Sequence, residues 1–164
     1  MYQFFVEPHQ ININDKSVII VGGDVNHIKN VLRMKPGEEL SVSNGQDGKE
    51  YRCAITGFTQ DTVECELRFI KEDGVELPSK IYLFQGLPKA DKMELIIQKA
   101  VELGVYQVVP VATKRCVVKL DDKKAKSKIT RWQGISEAAA KQSKRRIVPE
   151  IMEVMGFKAA LSFV

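Results

Sequence analysis

At 164 residues and 44% apolar, the chain can build one ordinary domain or two small ones around a packed core, which excludes a disordered or fibrous class. Net charge is only +4, yet Lys114–Arg146 hold twelve Lys/Arg against three Asp/Glu, a local +9 that leaves −5 elsewhere. That imbalance fits an anionic partner such as nucleic acid, and equally a solvated basic helix face.

The first 70 residues read as β. Tyr2–Val6, Ser17–Val21, Glu39–Ser43, Glu50–Phe58 and Thr62–Ile70 are β-branched or aromatic runs between turn residues. Asn44–Lys49 is a hairpin loop with two glycines able to take positive φ, and Gly57–Asp61 is a second tight connection. Val63, Cys65, Leu67 and Phe69 alternate with Glu64, Glu66 and Arg68, which predicts one buried and one wet face. A short helix interrupts, with Asp24 as N-cap, Ile28, Val31 and Leu32 as its apolar side and Pro36-Gly37 as its stop. Five or six short strands in this space favour a small closed barrel. The boundary falls in the polar Lys71–Pro78: residues 1–72 form the barrel and 73–79 a linker.

Residues 80–164 alternate strand and helix. Ile81–Gln85 is a strand. Asp91 and Glu94 make a capping-box pair for a helix whose core stripe is Met93, Ile96, Ile97, Ala100 and Val101, ended by Gly104. Gln107–Ala112 is the next strand, and Cys116–Leu120 is a candidate extension of the sheet. Asp121 or Asp122 starts a long helix to about Arg145, with Ala125, Ile129, Trp132, Ile135 and Ala139 buried. Two strands joined by such a helix imply a parallel βαβ unit. Gly156–Val164 reads as a helix just begun. A parallel sheet must be covered on both faces, so the chain reads as a fragment or as one completed by a partner; a small complete domain with a frayed tail is the other reading.

Cys53, Cys65 and Cys116 make no CxxC and no Cys/His cluster, which reads as reduced thiols of a cytoplasmic protein without a metal. No signal-peptide pattern or membrane-length apolar run is present. Nucleotide-loop, zincin and hydrolase motifs are missing too, and His9 and His27 do not mark a catalyst. The chemistry-bearing groups are cationic. Lys114 and Arg115 follow the carboxyl end of a strand, where parallel sheets gather ligands, and Arg115 can grip a phosphate at two points; a surface salt bridge is the alternative. Lys89 and Lys92 sit at a similar corner. On the long helix Glu137, Lys141, Lys144 and Arg145 share a face, as do Lys124, Lys128 and Arg131. Trp132 falls on the apolar side, with base stacking as the minority use. Lys29, Arg33 and Lys35 cluster around the short helix, a rim of the kind small barrels present to RNA.

HIKNVLRMKPGEEL (27–40), QGLPKADKMELIIQKAVELGV (85–105), PVATKRCVVK (110–119) and RWQGISEAAAKQSKRRIVPEI (131–151) together resemble the ribosomal RNA small subunit methyltransferase E family, collinearly along essentially the whole chain. The resemblance implies an N-terminal PUA-like, RNA-binding barrel followed by a SPOUT-type parallel α/β domain. It implies transfer of a methyl group from S-adenosyl-L-methionine to N3 of a uridine in small-subunit (16S) ribosomal RNA, by a homodimer. The family's GPEGG loop and leucine-glycine-arginine segment, which thread the knot and hold the cofactor, would lie beyond Val164. No cofactor-binding residue is therefore assigned here, and the chain alone is expected to be inactive. Within that frame Arg115 steadies the uracil anion and Glu137 is a weaker candidate proton acceptor. Arg131, Lys141, Gln142 and Arg145 join Lys29, Arg33, Lys35, Lys89 and Lys92 as RNA contacts. The rival readings are a non-enzymatic RNA-binding module and a small-ligand α/β enzyme unrelated to RNA.

Overall fold

The computed structural model describes residues 1–72, 74, 76–89, 91–116 and 121–163, with Asp122 described by its backbone alone. The chain divides into two compact units, Met1–Glu76 with Lys144–Ile147, and Leu77–Ser143 with Val148–Val164.

The first unit is a curled six-stranded sheet, a half-barrel. Its strands are β1 (Gln3–Phe5), β2 (Ile11–Asn12), β3 (Ser17–Val21), β4 (Glu39–Ser43), β5 (Glu50–Phe58) and β6 (Thr62–Lys71). They pair in the order β1-β4-β5-β6-β3-β2. The hydrogen-bonded path ends at β1 and β2, which are only three and two residues long, and short edges offer little for another chain to pair with. The alternation read for β6 holds at Val63, Cys65 and Leu67, all buried, and fails at Phe69, which is 56% exposed. The pairing Arg52↔Phe69 then Cys53↔Leu67 inserts one extra residue, Arg68, into β6. A one-residue bulge inverts the faces beyond it, so Phe69 turns outward and Ile70 packs against the core instead. The loop 44–49 behaves as its composition implies. Gly45 and Gly48 take φ of 73° and 69°, and Asn44 Oδ1 accepts the amides of Gln46 and Asp47.

The helix between β3 and β4 begins at Gly23, with Gly22 at φ 77° as its cap residue, so Asp24 lies in the first turn rather than at the cap. Helix α1 (Gly23–Asn26) continues as a π-helical turn over His27–Val31. There the Leu32 amide reaches five residues back to His27 O at 2.8 Å. The wide turn shifts the apolar face: Val25 and Ile28 are buried, while Val31 is 62% exposed. The turn closes at Arg33, which has φ 54°, ahead of the expected Pro36-Gly37 stop.

Residues 144–147 are clamped into this unit. The Glu76 carboxylate accepts Arg145 Nε at 3.0 Å and Nη2 at 2.5 Å, and the amides of Arg146 and Ile147 at 2.9 and 3.1 Å. Arg146 Nη2 donates to Glu50 at 2.7 Å, and Gln3 Nε2 donates to Arg145 O at 3.0 Å. Ile147 also bridges Gly45 in parallel. Burial alone would raise the Glu76 pKa. The Arg145 hydrogen bond and the two amides outweigh it and hold the carboxyl below its ordinary value.

The second unit is a parallel sheet with helices. The expected βαβ unit is present as β7 (Tyr82–Gly86), α2 (Lys92–Glu102) and β8 (Gln107–Ala112), with β7 and β8 parallel in continuous register from Tyr82↔Gln107 to Gly86↔Val111. Helix α2 buries Met93, Ile97 and Val101. Asp91 stands at its N-cap position but makes no side-chain cap bond; Glu94, the other half of the expected capping box, is engaged elsewhere. The helix ends as read. Gly104 (φ 98°) donates to Val101 O, and Val105 donates to Ala100 O, the paired closure of a Schellman turn. A Cβ on Gly104 would meet Leu77 Cδ1 at 2.7 Å. Gly104→Ala is accordingly expected to lower stability by about 1–3 kcal/mol, read as a shift of the urea midpoint at unchanged slope.

Asp121 caps α3 (Asp122–Gln142) by accepting the Lys124 amide at 2.8 Å. Trp132, Ser136, Ala139 and Ala140 form the buried side of this helix, with Ala125, Ile129 and Ile135 half-buried. The expected extension at Cys116–Leu120 falls largely outside the described residues, and Cys116 itself is in a turn. A third strand comes instead from beyond α3. β9 (Glu150–Ile151) and β10 (Met155–Gly156) both run parallel to β8, at Gln107–Val108 and at Val111–Ala112. The gap between them lies opposite Pro110, which has no amide hydrogen to keep a ladder continuous. The last element is α4 (Phe157–Phe163), with Ala160 buried and Phe157 and Leu161 exposed. None of the described helices is long and apolar enough to cross a membrane.

Candidate functional site

Parallel sheets gather ligands at the carboxyl ends of their strands, and Lys89, Lys92, Lys114 and Arg115 follow the carboxyl ends of β7 and β8. Thr113–Cys116 form a tight turn, with the Cys116 amide donating to Thr113 O at 3.1 Å. The Cys116 sulfur locks the turn from the other side, 3.2 Å from Thr113 Oγ1 and accepting the Thr113 amide at 3.4 Å. Lys114 and Arg115 thereby stand at the exposed corner of a hydrogen-bonded turn. Neither the turn nor the sulfur's part in it was legible in the sequence; the T-K-R-C spacing is the signal that could have raised it.

The bonds from Thr113 lower the Cys116 pKa, whereas burial pushes Cys53 and Cys65 up to about 12. A lower pKa gives more thiolate at a given pH, and the thiolate is the nucleophile. Iodoacetamide at pH 7.5–8 should therefore alkylate Cys116 first, with the other two modified only after unfolding. Equal labelling of all three in the native protein, by intact mass, would contradict the assigned burial.

Two expected RNA contacts are committed to carboxylates. Arg131 pairs with Glu94, Nη2 donating to Oε2 at 2.9 Å and Nε standing 2.8 Å from Oε1 as an ion pair, joining α3 to α2. This is why Glu94 does not complete a capping box. Arg145 is 6% exposed, and its guanidinium is used on Glu76, so its role is structural rather than RNA-facing. Glu137, Lys141 and Gln142 lie on the exposed side of α3 near its end. Among the described residues no hydrogen bond joins Glu137 to Arg115.

In the first unit Lys29, Arg33 and Lys35 surround the π turn. Lys29 Nζ donates to Thr59 O at 2.8 Å, tying the turn to the β5–β6 connection. Arg33 and Lys35 are exposed. Arg33 holds a backbone conformation that glycine adopts without strain and arginine does not.

Comparison with known families matches an RNA methyltransferase PUA domain at residues 22–68 and an RNA methyltransferase domain at residues 75–164. Ribosomal RNA small subunit methyltransferase E of Bacillus subtilis (strain 168) is 42% identical over 162 residues. The chain belongs to the ribosomal RNA small subunit methyltransferase E family. That match covers 98% of the chain and 63% of the Bacillus protein. The methyltransferase E of Aquifex aeolicus (strain VF5) is 32% identical, over 92% of the chain and 62% of the relative. A crystal structure of the methyltransferase E from Neisseria gonorrhoeae bound to S-adenosyl methionine superposes with a TM-score of 0.82 at 32% identity. It is matched by 100% of this chain over 66% of its own. The chain thus spans a little under two thirds of these methyltransferase E relatives. The PUA-like half-barrel and the parallel α/β unit are the family's two parts in their order.

Proposed function

We propose that this chain is the RNA-seating portion of an S-adenosylmethionine-dependent methyltransferase acting on N3 of a uridine in small-subunit ribosomal RNA. The observation that carries the reading is the hydrogen-bonded Thr113–Cys116 turn presenting Lys114 and Arg115 at the carboxyl end of β8, within the segment matched to an RNA methyltransferase domain. Methylating N3 requires loss of an imide proton and alignment of that nitrogen. Most of the rate gain comes from alignment, and a fixed guanidinium steadies the anion left behind. Arg115 takes that role; Lys89 and Lys92 hold RNA phosphate, as do Lys141 and Gln142 along α3. Glu137 as proton acceptor gains no support from its position. Lys29, Arg33 and Lys35 form the contact made by the PUA-like unit. The protein acts as a homodimer in the cytoplasm, as the family resemblance implies.

The cofactor would supply the methyl group. Three polar groups at the carboxyl ends of β7 and β8 are already used internally. The Leu87 amide donates to Val111 O at 3.1 Å, Gln85 Nε2 to Gly86 O at 2.8 Å, and the Thr113 amide to Cys116. These residues do not by themselves fit a donor set for S-adenosylmethionine, and this favours RNA seating as the activity of this chain. Calorimetric titration with the cofactor is expected to give no saturable heat; micromolar binding would contradict that.

Filter binding of small-subunit ribosomal RNA across a salt series tests the main proposal. Affinity is expected to fall steeply with salt, by about 0.7–0.9 logarithmic units per decade for each phosphate contacted. No binding at low salt would overturn it. Arg33→Gly relieves the backbone strain and is expected to raise stability by about 1 kcal/mol while reducing the salt slope by about 0.7. Gain of stability without loss of slope would remove Arg33 from the contact.

A further inference from the structure

We infer that a cleft beside the π turn of the first unit seats one unpaired RNA nucleotide, with the side-chain amides of Asn26 and Asn30 on its base. The inference rests on the RNA-binding reading and adds to it a place where sequence is read.

The cleft has a volume of about 310 Å³ and is lined by Gly22, Val25, Asn26, Lys29, Asn30, Gln60 and Asp61. That is the small end of the range for small-ligand pockets, suited to one nucleotide and too small for a duplex. Val25 is buried and gives an apolar floor. A Cβ on Gly22 would meet nothing within 4 Å, so the rim beside it is open. Asn30 Nδ2 donates to Asn26 Oδ1 at 2.6 Å. This leaves the Asn26 amide nitrogen, with its two N–H donors, and the Asn30 carbonyl oxygen with no other hydrogen bond among the described residues. Exchanging both amide orientations still leaves a donor beside an acceptor. A neighbouring donor and acceptor match the edge of a nucleobase, as Asn and Gln do for adenine.

The electrostatics favour a base over a phosphate. Lys29 and Asp61 are the charged groups of the lining and cancel, and the rest of its polar surface is three carboxamides. A phosphate trap would carry net positive charge. Lys29 spends one N–H on Thr59 O and keeps two for the adjoining backbone. The occupant must be unpaired, because a base can present its edge to such a cleft only when splayed from a helix. Asn26, Lys29 and Asn30 stand at i, i+3 and i+4 and so share the cleft side of this helix, and π turns like the one that follows recur at functional sites.

The test is fluorescence anisotropy with labelled oligouridylate, oligoadenylate and a blunt RNA duplex. Asn26→Ala removes the free donors, together with the acceptor for Asn30, and leaves the charge of the cleft unchanged. It is expected to weaken binding of the preferred single strand about tenfold, roughly 1.4 kcal/mol. Salt slope, duplex affinity and melting temperature are expected to stay unchanged. Asn30→Ala should do the same and narrow the preference between the two homopolymers. Unchanged single-strand affinity in both variants overturns the cleft assignment and leaves the RNA reading standing. A parent protein that binds none of the three probes at low salt overturns both. Equal losses on single strand and duplex, with a reduced slope, would show a backbone contact and overturn base reading.

Discussion

Glu76→Ala is expected to destabilise the first unit by about 3–5 kcal/mol, the usual consequence of removing one partner from a buried charge pair. Glu76 is the acceptor for Arg145 and for two backbone amides, and Arg145 is almost fully buried. The loss is therefore the carboxylate facing a buried guanidinium together with the acceptor of two backbone N–H groups, not one surface bridge. Glu76→Gln keeps an acceptor and should cost less. Because the folded pKa of Glu76 is depressed, its contribution is fully present above the ordinary carboxylate pKa and disappears as pH falls through the folded value. The gap between parent and Glu76→Gln should thus be widest near neutrality and close in acid. Urea unfolding followed by circular dichroism at several pH values reads both effects. A variant as stable as the parent at pH 7 would mean that residues 144–147 are not anchored by this carboxylate.

Trp132→Ala carries an expected loss of similar size, about 3–5 kcal/mol for truncating a large buried aromatic. Trp132 is 4% exposed on the side of α3 shared with Ser136, Ala139 and Ala140, which makes it core and rules against base stacking by this ring. It is the sole tryptophan, so its fluorescence reports the second unit alone. Trp132→Phe should retain most of the stability. Were Trp132→Ala instead to melt like the parent and lose RNA affinity, the ring would be a stacking platform and the assignment of this helix face would be reversed.

The local structure around the proposed site was legible where it depended on neighbouring residues. The strand-to-helix corner at Phe84–Val105, the Gly104 stop, the Asp121 cap and the exposed position of Arg115 all follow from residues within a few positions of one another. The same local reasoning did not reveal the partners of Arg131 and Arg145. Both looked like members of a basic face, and each meets an acid 37 and 69 residues away, respectively. Helical spacing cannot reveal such partners. The third strand was missed for a related reason: Glu150–Gly156 is short, interrupted opposite Pro110, and acquires strand character only from β8 beside it.

By itself the sequence determined the two-part organisation, the strands β3, β4, β5 and β8 to the residue, the βαβ crossover and the family. Side-chain period, turn residues and collinear motifs are properties of neighbouring positions. Only the tertiary structure decided the outward turn of Phe69 through a bulge, the π turn that exposes Val31, and the return of Lys144–Ile147 to the first unit. Those outcomes depend on which groups meet across tens of residues, where pairing a buried charge or completing a ladder outweighs local preference.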